Sequence, residues 1–478
     1  MDKELVELAL NTAKIKGASY ADVRLIRKQE EYITIKNGRI QALKRDEDAG
    51  IGIRVIVNGA WGFAATAKLT KPDISRTATL AVRVAKASST LKAKDVLLDT
   101  REKVTGTYRT KVLKDPFQIS LDKKIDLLMG ADAIMRKVKG VAFAETDLSF
   151  SKKFQIFASS DDSYIEQTIY QSGGSIAATA VKGNVTGERS YPGMHGHYKC
   201  AGYEFVEKQN FLDNAERVAT EAVALISAKT CPVITTTVIT DGSMTAIKIH
   251  ETIGHPTELD RVLGTEVSLA GKSHLTIDKL HKFQMGAPHV NITADATIAD
   301  GLGSFGFDDE GTPAQKTYLI KDGIFNGYLT SRETAPVIGE KSSGAMRADS
   351  WAAIPLIRMT NINLLPGTWR LDDLIADTDD GIYVESAGAP SIDDMRLNYH
   401  IHSEIGWLIK NGKKTEMIRR PSYAGISYEM WRNCDAICNE DFWEVWGVPN
   451  CGKGDPMQTM TVGHGAAPAR FRKIKIGE

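Results

Sequence analysis

Asn-Gly pairs between β-rich segments constrain the fold of this chain more than any other sequence feature. Residues 50–63 are rich in β-branched and aromatic side chains and are interrupted at Asn58-Gly59. An Asn-Gly pair with such flanks is the strongest short-range signal of a two-residue hairpin. A second pair separates the strand-like segments Asn398–Lys410 and Lys413–Arg419. The sequence therefore predicts antiparallel hairpins rather than repeated βαβ units.

The two halves of the chain differ in pattern. The first half mixes helical and strand periodicity, and the second has many short strand-like segments, Gly-rich turns and few helices. The predicted helices of the first half are 5–13, 73–87, 121–138 and 211–228, and its predicted strands include 32–40, 142–150, 153–159 and 164–171. Further strands are predicted in the second half at 318–321, 324–329, 354–365 and 382–386.

These patterns predict an α+β protein of two domains, because 478 residues exceed what one hydrophobic core usually organises. The long amphipathic helix 211–228 ends near Thr230-Cys231-Pro232, so the boundary is placed there. Residues 1–230 are expected to form a mixed α/β domain with antiparallel hairpins. Residues 231–478 are expected to form a mostly-β domain, a distorted barrel or a sandwich, that carries a metal-site helix.

Composition excludes several functional classes. Lys plus Arg and Asp plus Glu number 60 each, so no basic excess is available to neutralise phosphates, and we expect no nucleic-acid partner. No apolar run approaches the ~20 residues of a membrane span, and the first residues lack the basic start and apolar core of a signal peptide. Five Cys residues are an odd and small number, so a disulfide framework is not expected. We therefore expect a cytoplasmic protein with no membrane association and with reduced thiols.

His250 and His255 enclose Glu251 and Gly254 within six residues, behind an apolar helical segment. Neutral imidazole is a good zinc ligand, and a neighbouring carboxylate can accept a proton from water. On an ideal helix, five steps of about 100° would point the two rings about 140° apart. Gly254 is the position where the helix could end or bulge and bring the second ring around. Glu258 and Asp260 are expected to orient the imidazoles or to face water.

A catalytic zinc site needs a third protein ligand. The candidates are Cys434, Cys438, Cys451, His400, His402 and His464. Cys451 lies in a Gly-flanked turn that could approach an ion closely, and the nearby Lys453 would favour its ionised form. Cys434 and Cys438 have aromatic flanks typical of packed structure, where a free Cys is commonly a small buried hydrophobe. The residues alone leave the choice open.

Several blocks of this sequence occur together, in this order, in one known family. They are Gly52-Ile53-Arg54-Val55, Trp61-Gly62-Phe63-Ala64, His250-Glu251-x-x-x-His255 with Gly254 and Glu258, Asp308-Asp309-Glu310-Gly311-Thr312-Pro313, Arg358-Met359-Thr360-Asn361, Asn450-Cys451-Gly452-Lys453 and Gly463-His464-Gly465. Through them the chain resembles the TldD/PmbA metallopeptidases, once described as modulators of DNA gyrase. The resemblance covers nearly the whole chain.

The resemblance implies a zinc ion (Zn2+) held by His250, His255 and Cys451, with Glu251 as the catalytic base. It implies a TldD-like, metal-bearing subunit that cleaves unfolded or small peptides. It also implies a dimer, either of identical chains or with a motif-lacking PmbA-like relative. A thiolate ligand donates more charge than a carboxylate, so we expect a weak Lewis acid and modest activity. Residues 250, 251, 255 and 451 make up the whole expected site, with no organic cofactor.

Three further expectations remain to be compared with the structure. The acidic stretch 308–311 is expected to form a solvated turn rather than a loop that contacts substrate. Arg358 is expected to form a structural ion pair rather than to bind a substrate carboxylate. The alternative function is a non-catalytic peptide-binding or scaffold subunit with a structural zinc, and a fourth protein ligand at His464 or Glu258 would favour it.

Overall fold

The structure, a computed structural model, describes residues 2–100, 102–268 and 271–477. It is an α+β fold with 25% helix and 42% strand, as the sequence predicts. No helix among these residues is long and apolar enough to cross a membrane.

The N-terminal part is built on one eight-stranded sheet. Its strands are β1 (Tyr20–Lys36), β2 (Arg39–Val57), β3 (Ala60–Thr66), β4 (Thr105–Arg109), β5 (Val141–Ser159), β6 (Tyr164–Lys182), β7 (Val185–Tyr191) and β8 (His197–Lys199). The order is β3-β2-β1-β5-β6-β4, and β7 and β8 both pair with β6. Apart from the parallel pair of β4 and β6, the pairings are antiparallel.

Helices cover this sheet in two groups. They are α1 (Asp2–Ile15), α2 (Lys71–Ser88), α3 (Leu121–Lys137), α4 (Tyr203–Lys208) and α5 (Phe211–Leu225). Helices α1 and α2 bury their apolar faces against β1 to β3. Helices α3 and α5 cover β5 to β7, and the buried Ala215, Val218, Ala219 and Ala222 of α5 lie at the spacing of one helical face. Amphipathic helices on one sheet thus form the N-terminal cores.

Among its described residues, the C-terminal part contains mostly short strands and four helices. The strands are β9 (Lys229–Thr230), β10 (Ile234–Thr240), β11 (Ile292–Asp295), β12 (Lys316–Lys321), β13 (Ile324–Phe325), β14 (Met346–Arg347), β15 (Leu356–Ile357), β16 (Ile362–Leu364), β17 (Asp380–Ile392), β18 (Asn398–Lys410), β19 (Lys413–Arg419), β20 (Ser422–Ile426), β21 (Cys434–Ile437), β22 (Glu444–Lys453), β23 (Gln458–Ala466) and β24 (Ala469–Ile476). The helices are α6 (Gly242–Ile249), α7 (Leu259–Leu263), α8 (Leu371–Ala376) and α9 (Ser427–Arg432). Short 3₁₀ turns lie at Ile277–Lys279, Ala335–Ile338 and Glu440–Phe442, and one in the N-terminal part lies at Pro116–Gln118.

Five of these strands close into a barrel. The pairings run β17-β10-β24-β20-β18, and β18 pairs back with β17. A four-stranded sheet, β13-β12-β11-β16, and the hairpin β22–β23 pack beside it. Of the two predicted architectures, the distorted barrel is the one observed. Helix α6 follows barrel strand β10 directly and packs against β17 and the β22–β23 hairpin.

The predicted hairpin turns are present, but some strand bounds differ. Asn58 and Gly59 have φ of 49° and 72°, as a two-residue type I′ turn requires. The prediction of one strand at 32–40 is wrong, because a third Asn-Gly pair, Asn37-Gly38, turns the chain there. Predicted strands 142–150 and 153–159 are one continuous strand, β5. Segment 354–365 holds only the short β15 and β16.

The acidic stretch 308–311 is buried, so the prediction of a solvated turn is wrong. Asp308, Asp309 and Glu310 are 2%, 5% and 1% exposed. Glu310 accepts a 3.1 Å hydrogen bond from Arg54 of β2, which also binds Asp22 of β1 at 2.7 Å. A buried carboxylate needs such a cation, and these partners come from the N-terminal sheet. The stretch therefore joins the two parts of the chain.

Candidate metal centre

The helix that carries the two imidazoles is fixed at its start by a capping carboxylate. Asp241 follows β10, and its side chain accepts a 2.7 Å hydrogen bond from the backbone N–H of Met244. Such a cap satisfies one of the free donors of the first helical turn. Every residue of α6, Gly242 to Ile249, is buried. The helix therefore projects from the barrel into the interior of the C-terminal part.

Beyond α6 the backbone widens into one π-helical turn, His250–Gly254. The backbone N–H of His255 donates to the carbonyl of His250, which is the i→i+5 bond of a π-turn. This bond places His255 about one full turn beyond His250, where an α-helix would have rotated it away. The two ring centroids are 4.9 Å apart. The bulge expected near Gly254 is therefore present.

Packing, rather than its backbone angles, favours glycine at position 254. A Cβ on Gly254 would lie 2.0 Å from Sδ of Met359, far inside van der Waals contact. A short 3₁₀ turn, His255–Thr257, then ends the helix, with Pro256 at its second position. The π-turn is thus held between a tight contact and a proline that offers no N–H.

Cys451 reaches the two rings from the β22–β23 hairpin. The strand register shifts between Val448 and Cys451, and such a bulge redirects the side chains that follow it. The Cys451 Sγ lies 3.6 Å from Nε2 of His255. One ligand atom from each of His250, His255 and Cys451 lies within 4.8 Å of the others, and all three residues are buried.

This donor set fits zinc. In tetrahedral geometry, metal–nitrogen and metal–sulfur distances of about 2.0–2.3 Å place the ligand atoms roughly 3.3–3.8 Å apart. The ligand atoms lie within 4.8 Å of one another, so side-chain movements of about 1 Å would suffice. Imidazole and thiolate are ligands that suit zinc, whereas Ca²⁺ and Mg²⁺ prefer oxygen ligands. Within the described ranges this is the one cluster of three or more His, Cys, Asp or Glu groups arranged for a metal.

Each imidazole is held by a second buried residue. His250 Nδ1 lies 2.7 Å from Nε2 of His464, on β23. His255 Nδ1 lies 3.0 Å from Oε2 of Glu258. Such bonds orient metal-binding imidazoles and leave the other ring nitrogen available to the ion. His464 and Glu258 thus contact the far sides of the rings.

Glu258 is the centre of a buried charge cluster. It also binds Arg261 Nε at 2.6 Å and lies 3.3 Å from Lys453 Nζ. Burial opposes ionisation, but Lys453, Arg261 and His255 together hold the pKa of Glu258 well below its ordinary value. Asp260 binds Lys453 at 2.8 Å and contacts neither imidazole. Of the two carboxylates considered at this position, Glu258 is the one that orients a ring.

The surroundings of Cys451 favour its thiolate form, but the residues responsible are not the expected Lys453. Burial raises the pKa of the Cys451 thiol, but His255 and Arg358 outweigh that effect and bring the pKa below its ordinary value. Lys453 is engaged with Asp260 and Glu258. Arg358 is fully buried and donates to the backbone carbonyls of Cys451 and Gln458. The expected ion pair of Arg358 is replaced by bonds that hold the hairpin in place.

Glu251 lies beside the cluster and is paired with an arginine that sequence reasoning missed. Arg396 Nη1 donates a 2.6 Å hydrogen bond to Glu251 Oε2. Burial raises the pKa of Glu251, but His250, His255 and Arg396 more than compensate, so the pKa lies below its ordinary value. Arg396 belongs to the connection between β17 and β18, 145 residues from Glu251. No motif around position 396 marks this role.

The other candidate ligands lie elsewhere. Cys434 and Cys438 are buried in apolar clusters, and burial raises the pKa of each to about 12. The predicted packing role of these two Cys residues is therefore consistent with their surroundings. His400 and His402 contact each other on β18, with ring centroids 4.4 Å apart.

Comparison with known families gives three matches that together span most of the chain. Residues 234–478 match the PmbA/TldA metallopeptidase C-terminal domain. Residues 21–85 match domain 1 of the same metallopeptidases, and residues 114–228 match their central domain.

Full-length relatives agree with these matches. A metalloprotease of Methanocaldococcus jannaschii is 28% identical over 468 residues, covering 96% of this chain and 98% of that protein. A zinc metalloprotease TldD homolog of Saccharolobus solfataricus is 25% identical, covering 96% and 97% of the two chains. The crystal structure of a Thermotoga maritima MSB8 protein, described as a modulator of a DNA gyrase, covers 100% of both chains with a TM-score of 0.79 at 18% identity. That last likeness concerns the fold alone.

Proposed function

Because the chain belongs to the PmbA/TldA metallopeptidase family, we propose that it is a zinc-dependent peptidase that hydrolyses peptide bonds of unfolded or small peptides. We propose His250, His255 and Cys451 as the zinc ligands and Glu251 as the catalytic base. The observation that carries the proposal is the convergence of these three buried ligand atoms within 4.8 Å. When bound, the ion would supply a Lewis acid for the scissile carbonyl and lower the pKa of the attacking water.

Glu251 has the properties that a base at this site needs. Arg396 engages its Oε2 atom, whereas its Oε1 atom makes no hydrogen bond to any described residue. Arg396 thus supports an ionised carboxylate that keeps one oxygen free to accept a proton from water and pass it to the leaving amine. The carboxylate follows His250 directly in the chain, so the base is positioned by the same π-turn as the ligands.

The proposed zinc site keeps an open coordination position, because the two residues that could supply a fourth ligand, His464 and Glu258, have other contacts. His464 and Glu258 bond to the Nδ1 atoms of His250 and His255, so they act on the rings. Three protein ligands with one free position is the arrangement of catalytic zinc, whereas structural zinc is usually closed by four. The donor set therefore favours catalysis.

The alternative is a non-catalytic peptide-binding or scaffold subunit with a structural zinc. It is favoured by burial, since His250, His255 and Cys451 are only 6%, 4% and 4% exposed. A deeply buried ion stabilises a fold without meeting a substrate. Either function is compatible with a homodimer or with a heterodimer that includes a motif-lacking relative, which light scattering of the purified chain would distinguish.

The deciding experiment compares the native chain with Glu251→Gln, which removes the base but keeps the side-chain size. Zinc content is measured together with hydrolysis of casein and of short peptides. We expect about one zinc per chain in both proteins and hydrolysis by the native protein alone. Glu340→Gln, a change at an exposed acid, serves as the control and should cleave normally. If both proteins bind zinc and the native chain cleaves nothing, the structural-zinc alternative replaces the proposal.

A further inference from the structure

A loop from the N-terminal part reaches the helix that carries the metal ligands. Residues 192–196 connect β7 to β8. Residues 193–196 of this loop line a small cavity of about 30 Å³ together with residues of α6 and β22. The helix contributes Ser243, Ala246 and Ile247, which lie on one face at spacings of three and four. The next positions on that face are His250 and Glu251. The loop therefore packs on the face of the helix that leads into the metal centre.

The loop has a defined shape. The backbone N–H of Gly196 donates a 2.8 Å hydrogen bond to the carbonyl of Gly193. Gly196 has φ of +68°, and a Cβ there would lie 2.7 Å from the carbonyl oxygen of Gly174 on β6. Only glycine fits this turn and its approach to the sheet. The turn thereby fixes the backbone on both sides of His195.

The ring of His195 has no hydrogen-bond partner among the described residues, although it is half-buried. It is close enough to the metal centre for the charges of His250 and Glu251 to act on it. Burial, assisted by His250, lowers the pKa of His195, which favours the neutral ring with its single N–H donor. The ring lines the cavity against α6, one helical turn before His250, and a donor that no described residue uses is available to a ligand there.

His197, two residues further on, shows what a structural histidine does in the same region. Its Nε2 lies 3.0 Å from Oε1 of Glu444, and its Nδ1 accepts a 3.4 Å hydrogen bond from the backbone N–H of Gly447. Both ring nitrogens of His197 therefore join the N-terminal part to β22. His195 makes none of these contacts, so its place in the cavity against α6 is not explained by hydrogen bonds between the two parts.

We propose that His195 donates a hydrogen bond from its ring N–H to the oxygen of the scissile carbonyl, on which negative charge develops when water attacks. The inference rests on the proposed peptidase function and adds a residue from the N-terminal part to that site. Donors aimed at such an oxygen lower the barrier because they are in place before the charge appears. His195 forms no covalent bond and transfers no proton in this role.

The test compares His195→Phe, which removes the donor, with His195→Gln, which restores an N–H of similar reach. Removal of one such donor typically lowers kcat by about 100-fold or more. We expect that loss in His195→Phe with KM little changed, and partial recovery in His195→Gln. Met194→Leu, at an exposed neighbour in the same loop, controls for disturbance of the turn and should keep native activity.

A second readout does not depend on turnover. Calorimetry should show that His195→Phe binds a phosphinic peptide, which mimics the tetrahedral oxygen, more weakly than the native chain does. Binding of the matching unmodified peptide and zinc content should both remain native. Native kcat in His195→Phe, or a loss of zinc that parallels the loss of activity, would overturn the inference while leaving the peptidase function intact. If the native chain cleaves no peptide, the proposed function has failed and the inference fails with it.

Discussion

Replacement of His464 by Phe is the sharpest test of how the metal centre is organised. His464 is completely buried on β23, and its Nε2 lies 2.7 Å from Nδ1 of His250. Phe places a somewhat larger aromatic ring at this position and removes the hydrogen bond. His250 would then lose the contact that fixes its tautomer and its rotation. The ligand atoms themselves are unchanged, so any effect on zinc comes from orientation alone.

The expected size of the effect follows from the kind of bond that is lost. Removal of a residue that orients a metal ligand typically weakens metal binding by 10- to 100-fold, or about 1.4–2.8 kcal/mol. Burial lowers the pKa of both His250 and His464, which favours neutral rings. A hydrogen bond between neutral groups is weaker than a charge-assisted one, so the effect belongs at the lower end of that range. We expect about a tenfold weaker Kd for zinc. A buried ring nitrogen left without a partner should also lower the free energy of unfolding by about 1–3 kcal/mol.

The assay is a competition titration of zinc against a coloured chelator, with urea unfolding of the zinc-free proteins measured in parallel. His255→Ala serves as the comparison because it removes a proposed ligand outright. Zinc affinity in His464→Phe that equals the native value would refute the orienting role. A loss as complete as that of His255→Ala would instead make His464 a ligand and would favour the structural-zinc alternative.

Three further changes test other parts of the argument. Gly254→Ala should weaken zinc binding in the same titration, because the new methyl group would lie 2.0 Å from Met359 Sδ, and a second change, Met359→Ala, should restore part of it. Arg54→Met leaves two buried carboxylates without their cation and should cost about 3–5 kcal/mol in urea unfolding; an unchanged midpoint would contradict the burial of that cluster. Burial and the neighbouring Glu310 carboxylate raise the pKa of Asp308 to about 7. The folded chain therefore binds that proton more tightly than the unfolded chain, and stability should fall between about pH 4 and pH 7. Asp308→Asn should flatten this slope, whereas an identical slope in both proteins would remove Asp308 as its cause.

Local patterns predicted the parts of the fold that depend on neighbouring residues. The hairpin at Asn58-Gly59 and helix α5 are confirmed because turn chemistry and helical spacing are both properties of short segments. Closure of the barrel depends on β18 pairing with both β17 and β20. Nothing in either strand's own sequence states which partners it takes. The predicted boundary near residue 230 remains a prediction.

In the candidate site, too, local sequence patterns predicted some residues, whereas others depend on long-range contacts. Sequence spacing alone brought out His250, His255 and Glu251, and Gly254 was marked as the place where the helix could widen. Cys451 could be singled out only through resemblance, because several distant residues had suitable chemistry. The partners of these residues come from long-range contacts, such as Arg396 on Glu251, 145 residues away. A local pattern carries no information about such partners.

The buried cluster of Asp22, Arg54 and Glu310 has a consequence for how this chain can evolve. Arg54 and Glu310 are 256 residues apart yet share a hydrogen bond away from water. A charge change at one position leaves the others unbalanced, so substitutions there should be accepted only in combination. Chimeras that join the first part of one relative to the second part of another should express well when these three positions match and aggregate when they do not.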